Sequence, residues 1–132
     1  ITVGNSAALG TGALAMAGGT RLTAGAAGLA LANAVSTAGV GTIDTGINTL
    51  TLGGVISGAG SIAKIGTGTL VLNGANTYAG GTALNAGSIQ VGNNTALGSG
   101  TLAMAAGTGL VAGAPDLAVA NAVTLAGQTF IG

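Results

Sequence analysis

Residues of the same kind recur every twenty positions through most of the chain, and this register limits the folds that it can adopt. The columns are Gly60, Gly80 and Gly100; Ala63, Ala83, Ala103 and Val123; Thr51, Val71, Val91, Val111 and Ile131; and Leu50, Leu70, Gln90, Leu110 and Phe130. A fixed short period predicts a stack of similar coils in which like residues lie above one another. We expect the glycine column to hold one corner with a positive φ. Asn73 and Asn93 share another register, which suits a left-handed corner or an amide ladder.

Short runs rich in Thr, Val, Ile and Leu alternate with glycines, and this pattern predicts strands. The clearest runs are Thr69–Leu72, Thr82–Asn85, Ile89–Val91, Thr101–Ala105, Leu110–Ala112 and Leu117–Ala120. Ala and Leu favour helix, but each glycine costs about 1 kcal/mol in a helix interior, and glycines occur every few residues. Two or three short strands in each period predict an all-β parallel β-helix (β-solenoid) of about six coils of roughly twenty residues, stacked about 4.8 Å apart.

A second, longer repeat overlies the first. Residues 1–44 align without gaps onto residues 89–132, with ITVGNSAALG matching IQVGNNTALG and LALANAV matching LAVANAV. This offset of 88 residues exceeds four steps of twenty by eight. We therefore expect the phase to slip once, at about residues 40–62, in a coil with an extended loop. Residues 1–132 are predicted to be one β-solenoid segment, and we expect it to be a slice of a longer stack.

Charged residues are almost absent, which excludes several classes of function. Only Arg21, Lys64, Asp44 and Asp116 carry charge, and the net charge is zero. The chain therefore lacks the basic surface that binds nucleic acid. Without cysteine it has no disulfide framework and no thiolate metal site. Its mean hydropathy is high, at +0.78, but its apolar runs are far shorter than the about 20 residues of a membrane-spanning helix. We expect a soluble, folded chain without a membrane span.

The few titratable groups do not form a convincing catalytic set. General acid–base catalysis needs two such groups within reach of one another. Asp44 and Lys64 are twenty residues apart and could be neighbours on adjacent coils, where we interpret them as a surface ion pair worth about 0–1 kcal/mol. Asp116 follows Pro115 and is predicted in a turn. Tyr78 and Phe130 would form a site only if they met on an exposed patch, and Tyr78 is predicted to pack against a corner.

The glycine-rich segments do not match ligand-binding loops. A P-loop needs Gly-Lys followed by Ser or Thr, whereas Lys64 is followed by Ile65 and Gly66. Calcium-binding β-roll repeats need an Asp after their glycines, and Gly53-Gly54 and Gly80-Gly81 lack one. The sequence thus predicts no catalytic residue, no cofactor-binding residue, no metal ligand and no enzyme activity.

The run from Gly66 to Asn93, GTGTLVLNGANTYAGGTALNAGSIQVGN, resembles the autotransporter-associated β-strand repeat. That family's pattern is G-x-G-T-L-x-L-x-G-x-N-T-Y-x-G-G-T-x-x-x-x-G-x-L-x-V-G. The match includes Asn76-Thr77-Tyr78 and Gly80-Gly81-Thr82, with Ile89 at the family's Leu, and it covers about a fifth of the chain. The resemblance implies a right-handed β-helix from the passenger of a bacterial type V secreted protein, at the cell surface or released. Such passengers serve mainly as adhesins, aggregation factors and stalks.

These observations favour a structural role. In that role the chain would be a stalk or scaffold module of a surface adhesin or an extracellular fibre, and its partners would be neighbouring coils or copies stacked end to end. The alternative is a binding module, in which Thr49-x-Thr51 and Thr67-x-Thr69 belong to a flat face that recognises ice or a host or matrix glycan. A silk-like or amyloid-like polymer is a further alternative, against which the regular register argues.

Overall fold

A computed structural model describes residues 1–132, and it contains strands and turns but no helix. In chain order the strands are β1 (Thr2–Val3), β2 (Leu14–Met16), β3 (Arg21–Ala24), β4 (Leu29–Leu31), β5 (Val35–Thr37), β6 (Val40–Asp44), β7 (Thr49–Leu52), β8 (Ile56–Ser57), β9 (Ser61–Ile65), β10 (Thr69–Leu72), β11 (Thr82–Leu84), β12 (Ser88–Val91), β13 (Leu102–Met104), β14 (Gly109–Ala112), β15 (Val123–Leu125) and β16 (Phe130–Ile131). All pairings between them are parallel. The predicted β-solenoid is confirmed, because strands that are about one sequence period apart lie side by side in adjacent coils.

The strands form three sheets, which are the faces of the solenoid. Face A stacks β1, β3, β6, β9, β11, β13 and β15, and face B stacks β4, β7, β10, β12, β14 and β16. Face C stacks β2, β5 and β8. Each full coil visits face A, then face B, then face C. Above β8 the chain still crosses face C but forms no strand there.

The core lies between the three faces, because alternate residues of each strand point inward. On face A, for example, Leu22, Ile43 and Leu84 are buried, and on face B so are Leu50 and Leu70. The core cluster contains 23 residues and runs through the coils as one body. The leucine and isoleucine columns of the sequence are therefore the interior ladders of the solenoid.

Part of the twenty-residue register corresponds to direct stacking. Ala83 pairs with both Ala63 and Ala103, as predicted, and Leu70 pairs with Leu50. Thr51 pairs with Val71, also as predicted. In this part of the chain one coil equals one sequence period, so the spacing in the sequence and the spacing in the structure agree.

Beyond Leu72 several of the predicted columns are wrong, because the coil length changes. The step from β10 to β12 is one residue shorter than the sequence period, so Leu70 lies against Ile89 instead of Gln90. The later steps on face B are two residues longer than this one, since Ser88 pairs with Gly109 and Gly109 with Phe130. The remaining corrected pairs are Val71 with Gln90, Leu72 with Val91, Ala103 with Thr124, and Leu110 with Ile131. The residues that do not belong to the columns predicted for them are Gln90, Val91, Val123, Phe130 and Ile131.

Most of the changes in coil length are located at the corner between faces A and B; one lies on face C, where the chain from β12 to β13 is one residue longer than that from β10 to β11. In one coil this corner consists of residues 45–48, and in the coil above it consists of residues 66–68, so the corner shortens from four residues to three. In the next coil Asn85 donates its N–H to Lys64 O and so lies above Ile65, which leaves only residues 86–87 for the corner. The predicted single slip of eight residues, with an extended loop at 40–62, is wrong. That segment forms β6 to β8 in a coil as long as the one below it.

The glycine and asparagine columns also need correction. Gly60, Gly80 and Gly100 do not have positive φ. They are required because coils approach closely there, and a Cβ on Gly80 would lie 2.6 Å from the Gly60 carbonyl carbon. Asn73 and Asn93 do not share a register, since Gly92 is the residue that lies against Asn73, and neither asparagine has a positive φ.

Five of the six predicted strand runs are confirmed within one or two residues, and the sixth is wrong. Leu117–Ala120 forms no strand. It crosses face C, where the coil below presents the turn at residues 94–97 and no strand edge with which it could pair. The turn predicted at Asp116 is confirmed, and Asp116 is the one residue other than glycine with a positive φ, at 59°.

Candidate functional site

Three of the four charged residues lie on adjacent strands of face A, with Arg21 on β3, Asp44 on β6 and Lys64 on β9. Arg21 Nη1 lies 3.8 Å from Asp44 Oδ2, and the Arg21 side chain is 57% exposed. Asp44 Oδ1 also accepts the Gly46 N–H at 2.8 Å. An exposed pair of this kind adds little stability. The Asp44 carboxylate thus holds the first turn of the corner through Gly46.

The predicted surface pair between Asp44 and Lys64 is wrong, because Lys64 points inward. Lys64 lies directly above Ile43, and Asp44 lies below Ile65 on the outer side. The Lys64 side chain is fully buried. The alternation of inward and outward residues in β9 could have predicted this burial. In Ser-Ile-Ala-Lys-Ile, Lys64 points to the same side of the strand as the apolar Ile62. The prediction failed because lysine was assumed to lie on the surface.

The Lys64 ammonium is enclosed by main-chain oxygens. Nζ donates to Ile65 O at 2.9 Å, Gly66 O at 2.7 Å and Ala86 O at 3.2 Å. Burial lowers the pKa of Lys64 to about 8, and the negative charge of Asp44 opposes this shift. The ammonium bridges the three-residue corner and the two-residue corner above it, where strand pairing is interrupted. All its bonds are internal, so its role is structural.

The Asn-Thr-Tyr segment of the family-like motif connects three coils on face C, where the strands end. The Asn76 side chain accepts the Ile56 N–H of the coil below at 2.8 Å and donates to Ala96 O of the coil above at 2.7 Å. Both bonds are buried. Asn76 therefore replaces the missing strand with a side-chain link between coils, and its amide satisfies main-chain groups that would otherwise be unpaired.

Tyr78, which was predicted to pack against a corner, belongs to the core of the solenoid, and its side chain is fully buried. Its hydroxyl and Thr82 Oγ1 are 2.5 Å apart. Burial raises the pKa of Tyr78 to about 12, and the hydrogen bond with Thr82 opposes this shift. Phe130 is 63% exposed in the last strand. The two aromatic residues therefore do not form a common patch.

The outer side of face B carries the hydroxyls considered for ice or glycan binding. Thr49 pairs with Thr69, and Thr69 pairs with Ser88, whose Oγ lies 3.4 Å from Thr69 Oγ1. The next position of this column is Gly109. The neighbouring column changes from Thr51 to valine after one coil. The hydroxyl ladder is thus three coils long and one residue wide.

Neither a metal-ligand cluster nor a membrane-spanning helix is found in the structure. No group of three or more His, Cys, Asp or Glu side chains is close enough to hold a metal ion. No helix is long and apolar enough to cross a bilayer. Four of the eight exposed large hydrophobic residues lie at the C-terminal end, where Val123, Leu125, Phe130 and Ile131 are 39%, 54%, 63% and 58% exposed.

Comparison with known proteins agrees with the family resemblance of the motif. Residues 62–91 match the family described as Passenger-associated-transport-repeat. The Adhesin BmaC autotransporter of Brucella suis biovar 1 (strain 1330) is 48% identical over 46 residues, which are 35% of this chain but only 1% of that protein. No solved structure matches the chain. The matched segment contains Lys64, Asn76 and Tyr78, so residues 62–91 are similar to a passenger-associated transport repeat.

Proposed function

We propose that the chain is a structural β-helical module, a stalk or scaffold, of a bacterial cell-surface or secreted adhesin or extracellular fibre of the autotransporter type. The observation that carries the proposal is the passenger repeat at residues 62–91, built into an uninterrupted parallel stack. Autotransporter passengers are secreted or displayed at the outer-membrane surface, and we assign this chain the same location. An adhesin is also what the relative from Brucella suis is named.

The geometry suits a rigid spacer. Hydrogen bonds run between coils along the solenoid axis, and each coil adds about 4.8 Å of length, so the segment spans on the order of 30 Å. The buried polar side chains of Asn76 and Lys64 also stiffen the stack. Asn76 links three coils, and Lys64 joins two corners of unequal length. The chemistry of the interior is thus used to hold coils together and favours a non-enzymatic role.

A test should separate a spacer from a binding face. The passenger that contains this segment is displayed on a bacterial surface, with or without removal of residues 62–81, which form one complete coil because Thr82 lies directly above Ile62. A spacer keeps its display and its adhesion after this deletion. A matched variant with Thr49→Val, Thr69→Val and Ser88→Ala removes the hydroxyl ladder and leaves the stack intact. A spacer keeps adhesion in this variant as well.

The competing glycan-binding function makes the opposite prediction for the hydroxyl variant. If the ladder of Thr49, Thr69 and Ser88 binds sugars, the purified chain gives signals on a glycan array and the triple variant loses them. Loss of adhesion in the triple variant, with display and stability unchanged, would overturn the spacer proposal. Thermal hysteresis of the purified chain tests ice binding in the same pair of proteins.

A further inference from the structure

The two copies of the long repeat have the same local structure except at β4, whose counterpart at residues 117–119 forms no strand. Strands β2, β3 and β5 of the first copy correspond residue by residue to β13, β14 and β15 of the second. Asn33 Nδ2 donates to Gly10 O and Gly12 O at 3.1 and 2.7 Å. Asn121, at the equivalent position of the second copy, donates to Gly98 O and Gly100 O at 3.1 and 2.7 Å. The repeat is thus a structural unit, in which Asn33 and Asn121 make the same hydrogen bonds to equivalent turns.

The second copy is nevertheless rotated relative to the first. Strands β2 and β5 lie on face C, but their counterparts β13 and β15 lie on face A. Strands β3 and β6 lie on face A, but their counterparts β14 and β16 lie on face B. Every counterpart therefore moves one face further round. One unit of the long repeat advances four coils and one face, and equivalent surfaces of successive units point in directions a third of a turn apart.

The rotation shows what should cover the C-terminal end. In the first copy, β8 and β9 cover β5 and β6, with Ile56 on Val35 and Lys64 on Ile43. Val35 is then 3% exposed and Ile43 is fully buried. In the second copy β15 and β16 are the last strands of residues 1–132, and the equivalent residues Val123 and Ile131 are 39% and 58% exposed.

We propose that the C-terminal end formed by β15 and β16 is a docking face for a segment with the sequence of residues 45–88, seated one face further round than in the first copy. The isoleucine equivalent to Ile56 would lie on Val123, and the lysine equivalent to Lys64 on Ile131. The segment must reach residue 88 because that lysine needs the carbonyls equivalent to Gly66 and Ala86. The inference extends the proposed structural role, but its test measures folding alone, so it can fail independently of adhesion.

The test compares two extensions of equal length. Residues 45–88 are joined after Gly132 in one protein, and residues 1–44 are joined there in the control. Hydrogen exchange is followed at the amides of Val123–Leu125 and Phe130–Ile131. The 45–88 extension is expected to slow exchange at these amides at least tenfold and to unfold together with the rest of the chain. The control extension should leave exchange close to that of the unextended chain. Equal exchange in the two proteins overturns the proposal.

A cross-link tests the rotation itself. The chain has no cysteine, so Thr124→Cys can be paired with a cysteine at the appended serine equivalent to Ser57. In the first copy the corresponding residues, Ser36 and Ser57, are direct partners. Rotation predicts a disulfide between the two introduced cysteines on face A. The matched control places the first cysteine at Ala120, in the segment that crosses face C. A disulfide with Ala120→Cys instead of Thr124→Cys would show an unrotated stack and contradict the proposal.

Discussion

Residues 1–44 and 89–132 are nearly the same sequence in two different structural settings. Most of their turns and strands agree, including the turns at Gly10 and Gly98, which both have a φ of 64°, but Leu29–Leu31 forms β4 whereas the equivalent residues 117–119 form no strand. Their surroundings differ, because the first copy lies under further coils and the second contains the last strands of residues 1–132, β15 and β16. Local sequence therefore fixes the turns, whereas burial depends on which coil comes next. In a solenoid this separation is expected, because each repeat contacts only its neighbours.

The largest expected difference between the copies is at Ile43 and Ile131. Ile43 is fully buried under Lys64, whereas Ile131 is 58% exposed. Removing a buried isoleucine side chain leaves a cavity, so Ile43→Ala should lower the free energy of unfolding by about 2–5 kcal/mol. Ile131→Ala should lower it by less than about 1 kcal/mol. Urea denaturation of both variants measures the difference, and equal losses would contradict the idea that the covering coil determines burial.

The second difference concerns Gly98 and Gly10. Alanine at either position must adopt an unfavourable positive φ, at a cost of about 1–2 kcal/mol. At Gly10 a Cβ would have open space, but at Gly98 it would meet the Tyr78 carbonyl oxygen of the coil below. We therefore expect Gly98→Ala to cost roughly 2–4 kcal/mol and Gly10→Ala about 1 kcal/mol. Thermal unfolding of the two variants checks this order, and a larger loss for Gly10→Ala would reverse the comparison.

The sequence correctly predicted those strand pairings that follow from coils of equal length. Ala63, Ala83 and Ala103 stack as their spacing indicates because successive coils on this part of face A are equally long. The pairing of Leu70 with Ile89 was not predictable in this way. It depends on a corner of only two residues at 86–87, and no residue pattern marks such a shortening.

The interior position of Lys64 depends on a similar non-local cause. A lysine is almost never fully buried unless it is paired. Here its partners are carbonyls of a corner that exists only because two successive coils differ in length. By contrast, the burial of Tyr78 was predictable from the family-like motif, whose residues contact one another directly through Tyr78 and Thr82.

The covering coil also makes stability depend on pH, in two opposite directions. Lys64, which covers Ile43, has a folded pKa of about 8, below its ordinary value of 10.5. Between these values the unfolded chain binds more protons, so stability should rise with pH, by up to about 3 kcal/mol. Tyr78 has a folded pKa of about 12, above its ordinary value of 10.0. Stability should therefore fall again as the pH rises from about 10 to 12.

Two variants assign these slopes to their side chains. Lys64→Met should abolish the rise in stability above pH 8 and leave the fall above pH 10. Tyr78→Phe should keep the rise and abolish the fall. Urea titrations from pH 7 to 11.5 measure both slopes. A rise that persists in Lys64→Met would exclude the buried ammonium as its cause.

The smallest expected effect is at Asp116, which stands where the first copy has Gly28. The two residues have similar positive φ values, 59° and 69°. An aspartate in this conformation costs about 1 kcal/mol more than a glycine, although glycine loses more backbone entropy on folding. Asp116→Gly should therefore raise the free energy of unfolding by less than about 1 kcal/mol, and Gly28→Asp should lower it by a similar amount. Calorimetry of both variants tests whether the turns of the two copies are interchangeable. The exposed Gly19→Asp variant gives a second measure of the strain of an aspartate at positive φ. If Asp116→Gly destabilises the chain, the aspartate makes a contribution specific to its own copy, and the two turns are not equivalent.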